Sequence, residues 1–211
     1  RRDGAEMEAG CAAALSVAKL DNTVFFLGRN VYGQGLVYRL NQYVPQIVSN
    51  RGIEQMINTF ARIDDAIAYA YQKNGHSFYV LTFPTANKTL VYDALIQDPD
   101  MAWSIRETYD LGRDRATCHT FAFNKHLVGD LASGKIFELD ENTHTDGGLP
   151  IVWSRTSAHI ISDYKRIRHK EVVLNFQTGV GLEDGSEPLV YLTYSDDGGH
   201  SYITPREASL G

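Results

Sequence analysis

T-V-F-F-L-G-R-N-V-Y-G-Q-G-L-V-Y-R-L, Thr23 to Leu40, lies without gaps on S-F-Y-V-L-T-F-P-T-A-N-K-T-L-V-Y-D-A, Ser77 to Ala94, 54 positions further on. Leu27 meets Leu81, and Leu36-Val37-Tyr38 meets Leu90-Val91-Tyr92. A shorter copy, K-H-L-V-G-D-L-A-S-G-K-I-F-E-L-D, runs from Lys125 to Asp140. Each copy is an apolar run, a loop bearing Gly, Pro or Asn, and a second apolar run, which is the pattern of a β-hairpin.

Further strand candidates flank the hairpins, A-I-A-Y-A-Y (Ala66 to Tyr71) and A-W-S-I-R-E-T-Y (Ala102 to Tyr109). Three or four strands per unit, repeating at roughly 50 residues, predict about three antiparallel blades of a β-propeller. V-F-F-L and F-Y-V-L are apolar at successive positions rather than alternating, so both faces of these strands are expected to be buried, as where blades stack. One segment breaks the rhythm: in S-N-R-G-I-E-Q-M-I-N-T-F, Ile53, Met56, Ile57 and Phe60 fall on one helical face behind a Ser49 or Asn50 cap. This predicts one short connecting helix at about 51–61.

The run D-G-G-L-P (Asp146 to Pro150) marks a boundary. Residues 1–148 then form the partial propeller and 149–211 a small sandwich- or barrel-like β module, with strands expected at Ile151 to Thr156, Lys165 to Phe176 and Pro188 to Tyr194.

The chain has 211 residues, 43% hydrophobic and 22% charged, with a net charge of −6. It is long enough for a substantial core and carries no overall basic footprint for nucleic acid. Its longest nearly apolar run, Cys11 to Ala18, is far shorter than the roughly 20 residues a membrane helix needs, so no membrane partner is expected. Cys11 and Cys118 form neither a disulfide framework nor a zinc pattern and are read as buried thiols.

Catalytic motifs are scarce. There is no phosphate loop, no G-x-S-x-G elbow and no paired-histidine metal spacing; His76, His126 and His169 sit in strand or turn contexts. Asp64-Asp65 suits a turn or cap better than an acid/base pair, since neighbours on a strand point to opposite faces. The segment S-D-D-G-G-H-S-Y resembles the Asp-box of sialidase-like propellers, with Tyr202 at the usual Trp position. Its plain reading is a structural turn made by Ser195, Asp197, Gly198, Gly199 and Tyr202. Asp196, Asp197, Glu183 and Asp184 are hard oxygen donors but lack calcium-loop spacing. No catalytic, cofactor-binding or metal site is assigned, and no cofactor is expected. The basic run K-R-I-R-H-K would set Arg166, Arg168 and Lys170 on one strand face; with Lys165 they are the candidate contacts to phosphate or a partner. Arg29, Arg39, Arg62, Arg106, Arg113, Arg115 and Arg155 show no spacing that singles out a sialidase triad.

Taken in order, H-S-F-Y-V-L-T-F-P-T-A-N-K-T-L-V-Y-D-A, H-L-V-G-D-L-A-S-G-K-I-F-E-L-D and L-V-Y-L-T-Y-S-D-D-G-G-H-S-Y resemble the C-terminal half of the packaged-DNA stabilisation proteins of short-tailed bacteriophages, and G-R-N-V-Y-G-Q-G-L-V-Y-R-L with the helix after it also fits. The resemblance implies a non-enzymatic tail hub or plug, made in the bacterial cytoplasm and carried in the virion tail. It implies assembly with other copies of itself in a ring, contact with the portal's adaptor ring and the tail needle, non-specific contact with packaged DNA, and a longer protein of which this chain would be a part. A prophage origin fits equally. The alternative from another class is a glycan-binding or sialidase-like propeller.

Overall fold

The structure, a computed structural model, describes residues 9–157, 160, 170–176 and 188–209. The chain divides into two compact units, Arg1–Val152 and Trp153–Gly211. In the first, β1 (Gly10–Cys11), a 3-10 turn (Ala14–Ser16), β2 (Ala18–Leu20), β3 (Thr23–Arg29), β4 (Gly35–Asn41) and β5 (Val44–Ile47) precede α1 (Arg51–Thr59). Then come β6 (Ile67–Lys73), β7 (His76–Phe83), β8 (Lys88–Asp93) and β9 (Trp103–Arg106), followed by β10 (Ala116–Ala122), β11 (Lys125–Asp130), β12 (Ile136–Glu138), β13 (Thr145–Asp146) and β14 (Leu149–Pro150). The second unit contributes β15 (Leu189–Tyr194) and β16 (Ile203–Ser209).

All pairings among the described residues are antiparallel, as the hairpin repeats require. The first blade runs β3-β4-β5, with β1 and β2 sharing the outer edge of β3; the second is the meander β6-β7-β8-β9; the third is β10-β11-β12. The two aligned repeats are the hairpins β3–β4 and β7–β8, which pair one residue out of step: Leu27 faces Val37, whereas Leu81 faces Leu90, the counterpart of Leu36. Contiguous apolar runs do mean burial on both faces: Phe25, Phe26, Leu27, Leu36, Val37 and Tyr38 are buried in blade one, and Tyr79, Val80, Leu81, Leu90 and Val91 in blade two. Alternate residues serve different layers. Phe25, Leu27 and Val37 join Tyr79, Leu81 and Leu90 between the first two blades, where the Phe25 and Tyr79 rings stack at 5.4 Å. Val80 and Val91 face the third blade, in a cluster with Tyr69, Tyr71, Ala116 and Val128. Burial of each such side chain stabilises the fold by about 1.5–3 kcal/mol, so the two seams hold the blades together.

The first hairpin of every blade has a two-residue turn with positive φ at both positions: Asp21-Asn22, Asn74-Gly75 and Phe123-Asn124. This is the type I′ geometry that matches strand twist. Asn, Asp and Gly tolerate it, whereas Phe123 at φ +55° is strained.

Helix α1 is capped by Asn50, whose Oδ1 accepts the Ile53 N–H at 2.9 Å. Glu54 in its first turn accepts the Ser49 hydroxyl at 3.1 Å. The helix ends at Thr59, short of the expected 61, because Phe60 turns extended and sets its ring edge-on against Phe83 at 4.9 Å. Gly35 is the seat of this helix. A Cβ there would lie 2.6 Å from Ile57 Cγ2, so only glycine lets α1 approach β4 this closely.

Two expectations are corrected. Both cysteines are exposed: Cys11 ends a two-residue edge strand, and Cys118 lies on edge strand β10, pointing away from blade two. Residues 151–157 and 170–176 carry no regular secondary structure where strands were expected. Their apolar side chains, such as Trp153, Val173 and Leu174, are exposed, with no neighbouring strand among the described residues to pair with. The described strands of the second unit make one hairpin, β15–β16, with a register shift between Leu192 and Tyr194. Among the described residues no helix is long and apolar enough to cross a membrane.

Candidate functional site

Among the described residues, a gathering of polar and titratable side chains lies on the seam between blades two and three. Period-2 alternation puts Tyr69, Tyr71 and Lys73 on the β6 face that meets β10, and His119 and Phe121 on the facing side of β10. The β10–β11 register sets Phe121 opposite His126 and His119 opposite Val128, so His119 and His126 are diagonal neighbours. Their rings stack at 5.2 Å, with His119 Nε2 3.0 Å from His126 Nδ1. Tyr69 stacks on His119 at 6.2 Å, Tyr71 lies 5.3 Å from His119, and Phe121 4.9 Å from His126. Partial burial and the neighbouring His126 hold the His119 imidazole below its ordinary pKa.

Beneath this pair, Arg106 donates to the Tyr71 hydroxyl at 3.0 Å and lies 3.7 Å from Asp114. Burial pushes the Asp114 carboxyl upward, partly offset by the Ala116 N–H it accepts and by Arg106. Above it opens a cleft of about 560 Å³, lined by Lys73, His119, Phe121, Asn124 and His126 among others. Lys73 donates to the Leu139 carbonyl at 2.7 Å and pairs with Glu141 at 3.4 Å. These groups hold the seam; they do not converge on a reacting atom.

Two exposed tips are built to present large side chains. In the β3–β4 loop, Asn30 Oδ1 accepts the N–H groups of Tyr32 and Gln34, each at 3.0 Å, and Gly33 supplies φ +81°. The loop is fixed while Val31 and Tyr32 stand 87% and 86% exposed. Phe123 at the β10–β11 turn is 90% exposed. Rigid, solvated aromatic tips of this kind suit protein contact, because little side-chain entropy is lost on docking.

The sequence-derived turn residues meet in the β15–β16 connection. Ser195 Oγ accepts the Gly199 N–H at 2.8 Å and donates to Asp197 Oδ1 at 2.7 Å. Asp197 accepts the Ser201 N–H at 2.8 Å and the Ser201 hydroxyl at 2.5 Å. The Ser201 hydroxyl above all, then its amide and the Ser195 hydroxyl, hold the Asp197 carboxyl well below the usual carboxylate range. Gly198 and Gly199 take positive φ, and a Cβ on Gly199 would stand 3.6 Å from the Tyr202 hydroxyl. This is a tied-down loop whose acceptors are spent on its own backbone and hydroxyls.

Of the basic run, Lys165, Arg166 and Arg168 lie outside the described residues, as does His169, and Lys170 is exposed. Glu183 and Asp184 also lie outside them. Asp65 accepts the Thr85 N–H at 2.9 Å, and Asp64 pairs with Arg62 at 2.6 Å. His76 Nδ1 sits 2.6 Å from Asp93 Oδ2. Four of the arginines weighed for a sialidase triad have separate partners: Arg39 lies over Phe25, Arg62 binds Asp64, Arg106 binds Tyr71, and Arg115 sits 3.3 Å from Asp146. Sequence reasoning missed the partner of His126. The signal was the F-N dipeptide: a two-residue turn there forces His126 opposite Phe121 and brings His119 alongside.

A family model described as Bacteriophage P22 Gp10, beta-propeller, matches residues 1–144, all three blades included. No curated protein matches the chain.

Proposed function

This chain belongs to the phage stabilisation family of Bacteriophage P22 Gp10, and on that premise we propose that it is a tail accessory protein that plugs the portal and tail channel, bridging the adaptor ring and the tail needle. The family is one of phage structural proteins that stabilise packaged DNA, with a β-propeller fold. The match over 144 of the 211 residues carries the reading. The architecture supports it. The blade seams bury Phe25, Tyr79, Leu81 and Val128, which suits a body that must resist the pressure of confined DNA. The fixed tips at Val31-Tyr32 and Phe123 supply contact points for neighbouring proteins or further copies in a ring. Nothing in the match supports the glycan alternative.

In this reading the channel is sealed by protein–protein contacts, and DNA is touched only through phosphates by Lys165, Arg166, Arg168 and Lys170. The test of the seal is nuclease access. Filled particles assembled without the chain release DNA to nuclease, and supplying the chain restores protection; equal protection with and without it refutes the plug. The phosphate contact has its own test. Duplex binding should weaken steeply with salt and fall further on charge reversal at the four basic positions. Binding unchanged by the reversal removes DNA from the list of partners while leaving the plug standing.

A further inference from the structure

We propose that the His119–His126 pair is an acid-sensitive latch on the seam between the second and third blades, closed while at least one imidazole is neutral and offers a lone pair to the other's N–H, and opened when both are imidazolium. The geometry allows a single hydrogen bond between His119 Nε2 and His126 Nδ1, at 3.0 Å, which needs one N–H and one lone pair. If both rings are protonated, N–H faces N–H across that distance, and two positive charges lie 5.2 Å apart between ring centroids.

The surroundings give the second proton little compensation. From β6, Tyr69 and Tyr71 face the pair with their rings, and Lys73 brings a cation to the same cleft. From β9, Arg106 sits on Tyr71 with its guanidinium 6.0 Å from the ring centroid. The acidic groups nearby already have partners: Asp114 with Arg106, Glu141 with Lys73, and Glu138 with Lys125 at 2.6 Å. His76, stacked on Phe78 behind Tyr71, is engaged with Asp93.

The sign follows from the depressed His119 pKa. A histidine whose folded-state pKa lies below its unfolded value near 6.5 stabilises the closed seam above that pH and loses this contribution as pH falls. One extra proton taken up by the open form raises the open-to-closed ratio by at most tenfold per pH unit. His119 should therefore titrate below its ordinary value while the latch is closed.

The experiment is hydrogen exchange on the full chain at pH 7.5 and pH 5.5, corrected for intrinsic exchange, together with histidine titration by NMR. Amides of β6 and β10 should lose up to tenfold protection per pH unit while those of β3 and β7 hold theirs. His119→Phe, which keeps a ring against Tyr69 and Tyr71, should abolish the difference. His126→Gln, which keeps a hydrogen-bonding partner, should raise the His119 titration toward its ordinary value. Equal acid sensitivity in His119→Phe, or a wild-type His119 that titrates at its ordinary value near 6.5, overturns the latch.

Discussion

Ser16 is a small residue with a large structural duty, and Ser16→Ala isolates it. Strand β3 is paired along one edge by β1 at Gly28 and Arg29 and by β2 from Thr23 to Phe25. Between these stands Leu27, whose carbonyl accepts the Ala12 N–H at 2.8 Å and whose N–H donates to Ser16 Oγ at 2.9 Å. Ser16 is fully buried; its hydroxyl donates to the Ala13 carbonyl at 2.7 Å, and its own carbonyl accepts the Tyr79 hydroxyl from blade two, also at 2.7 Å. Alanine orphans a buried N–H, which costs about 1–3 kcal/mol. The Ala13 carbonyl still accepts the Ser16 N–H at 3.1 Å, so the second lost bond adds only about 0.5–1 kcal/mol. The sum, about 1.5–4 kcal/mol, lowers Tm by roughly 3–16 °C for a chain of this size. Circular dichroism melts, with Ser133→Ala as the comparison, provide the assay. Ser133 donates to Asp130 on an exposed loop, and its loss should shift Tm by no more than about 2 °C. If Ser16→Ala falls in that same range, the hydroxyl does not fill the gap between β1 and β2.

Gly35→Val should destabilise by about 2 kcal/mol or more by pushing Ile57 and Ile63 off β4, seen as a lower urea midpoint with the loss of helix α1 signal. Phe123→Asn relieves a left-handed aromatic and should raise stability by about 1 kcal/mol in the same titration, while weakening any contact made through that tip. Because the Asp197 carboxyl is depressed in the folded state, its contribution is present above the unfolded carboxylate pKa near 3.9 and disappears as pH falls below it. Asp197→Ala should flatten that acid limb in a pH series of melts; an unchanged limb would show that the β15–β16 clasp takes no part in it.

The blades were legible because their inner hairpins repeat: the same L-V-Y triplet lies within β4 and β8, and unbroken apolar runs marked strands buried on both faces. The helix was legible from Asn50 and the spacing of Ile53, Met56, Ile57 and Phe60. The outer hairpins were not, because D-N, N-G and F-N share backbone geometry rather than residues, so their repeat is invisible to alignment. Exposure of Cys11 and Cys118 was also hidden, since thiols follow the position of their strand within the sheet. The expectations that failed, Ile151 to Thr156 and the described residues 170–176, rested on β propensity, which needs a neighbouring strand to be realised. The His119–His126 seam emerges only once the turn at Phe123-Asn124 fixes the register.

Electron cryomicroscopy of the DNA-filled particle tests the central claim most directly. The account predicts density for the three blades across the channel exit, between the adaptor ring and the needle, with the tips at Val31-Tyr32 and Phe123 in contact with neighbours. Filled particles with that position open, or with the blades attached elsewhere on the virion, would contradict it.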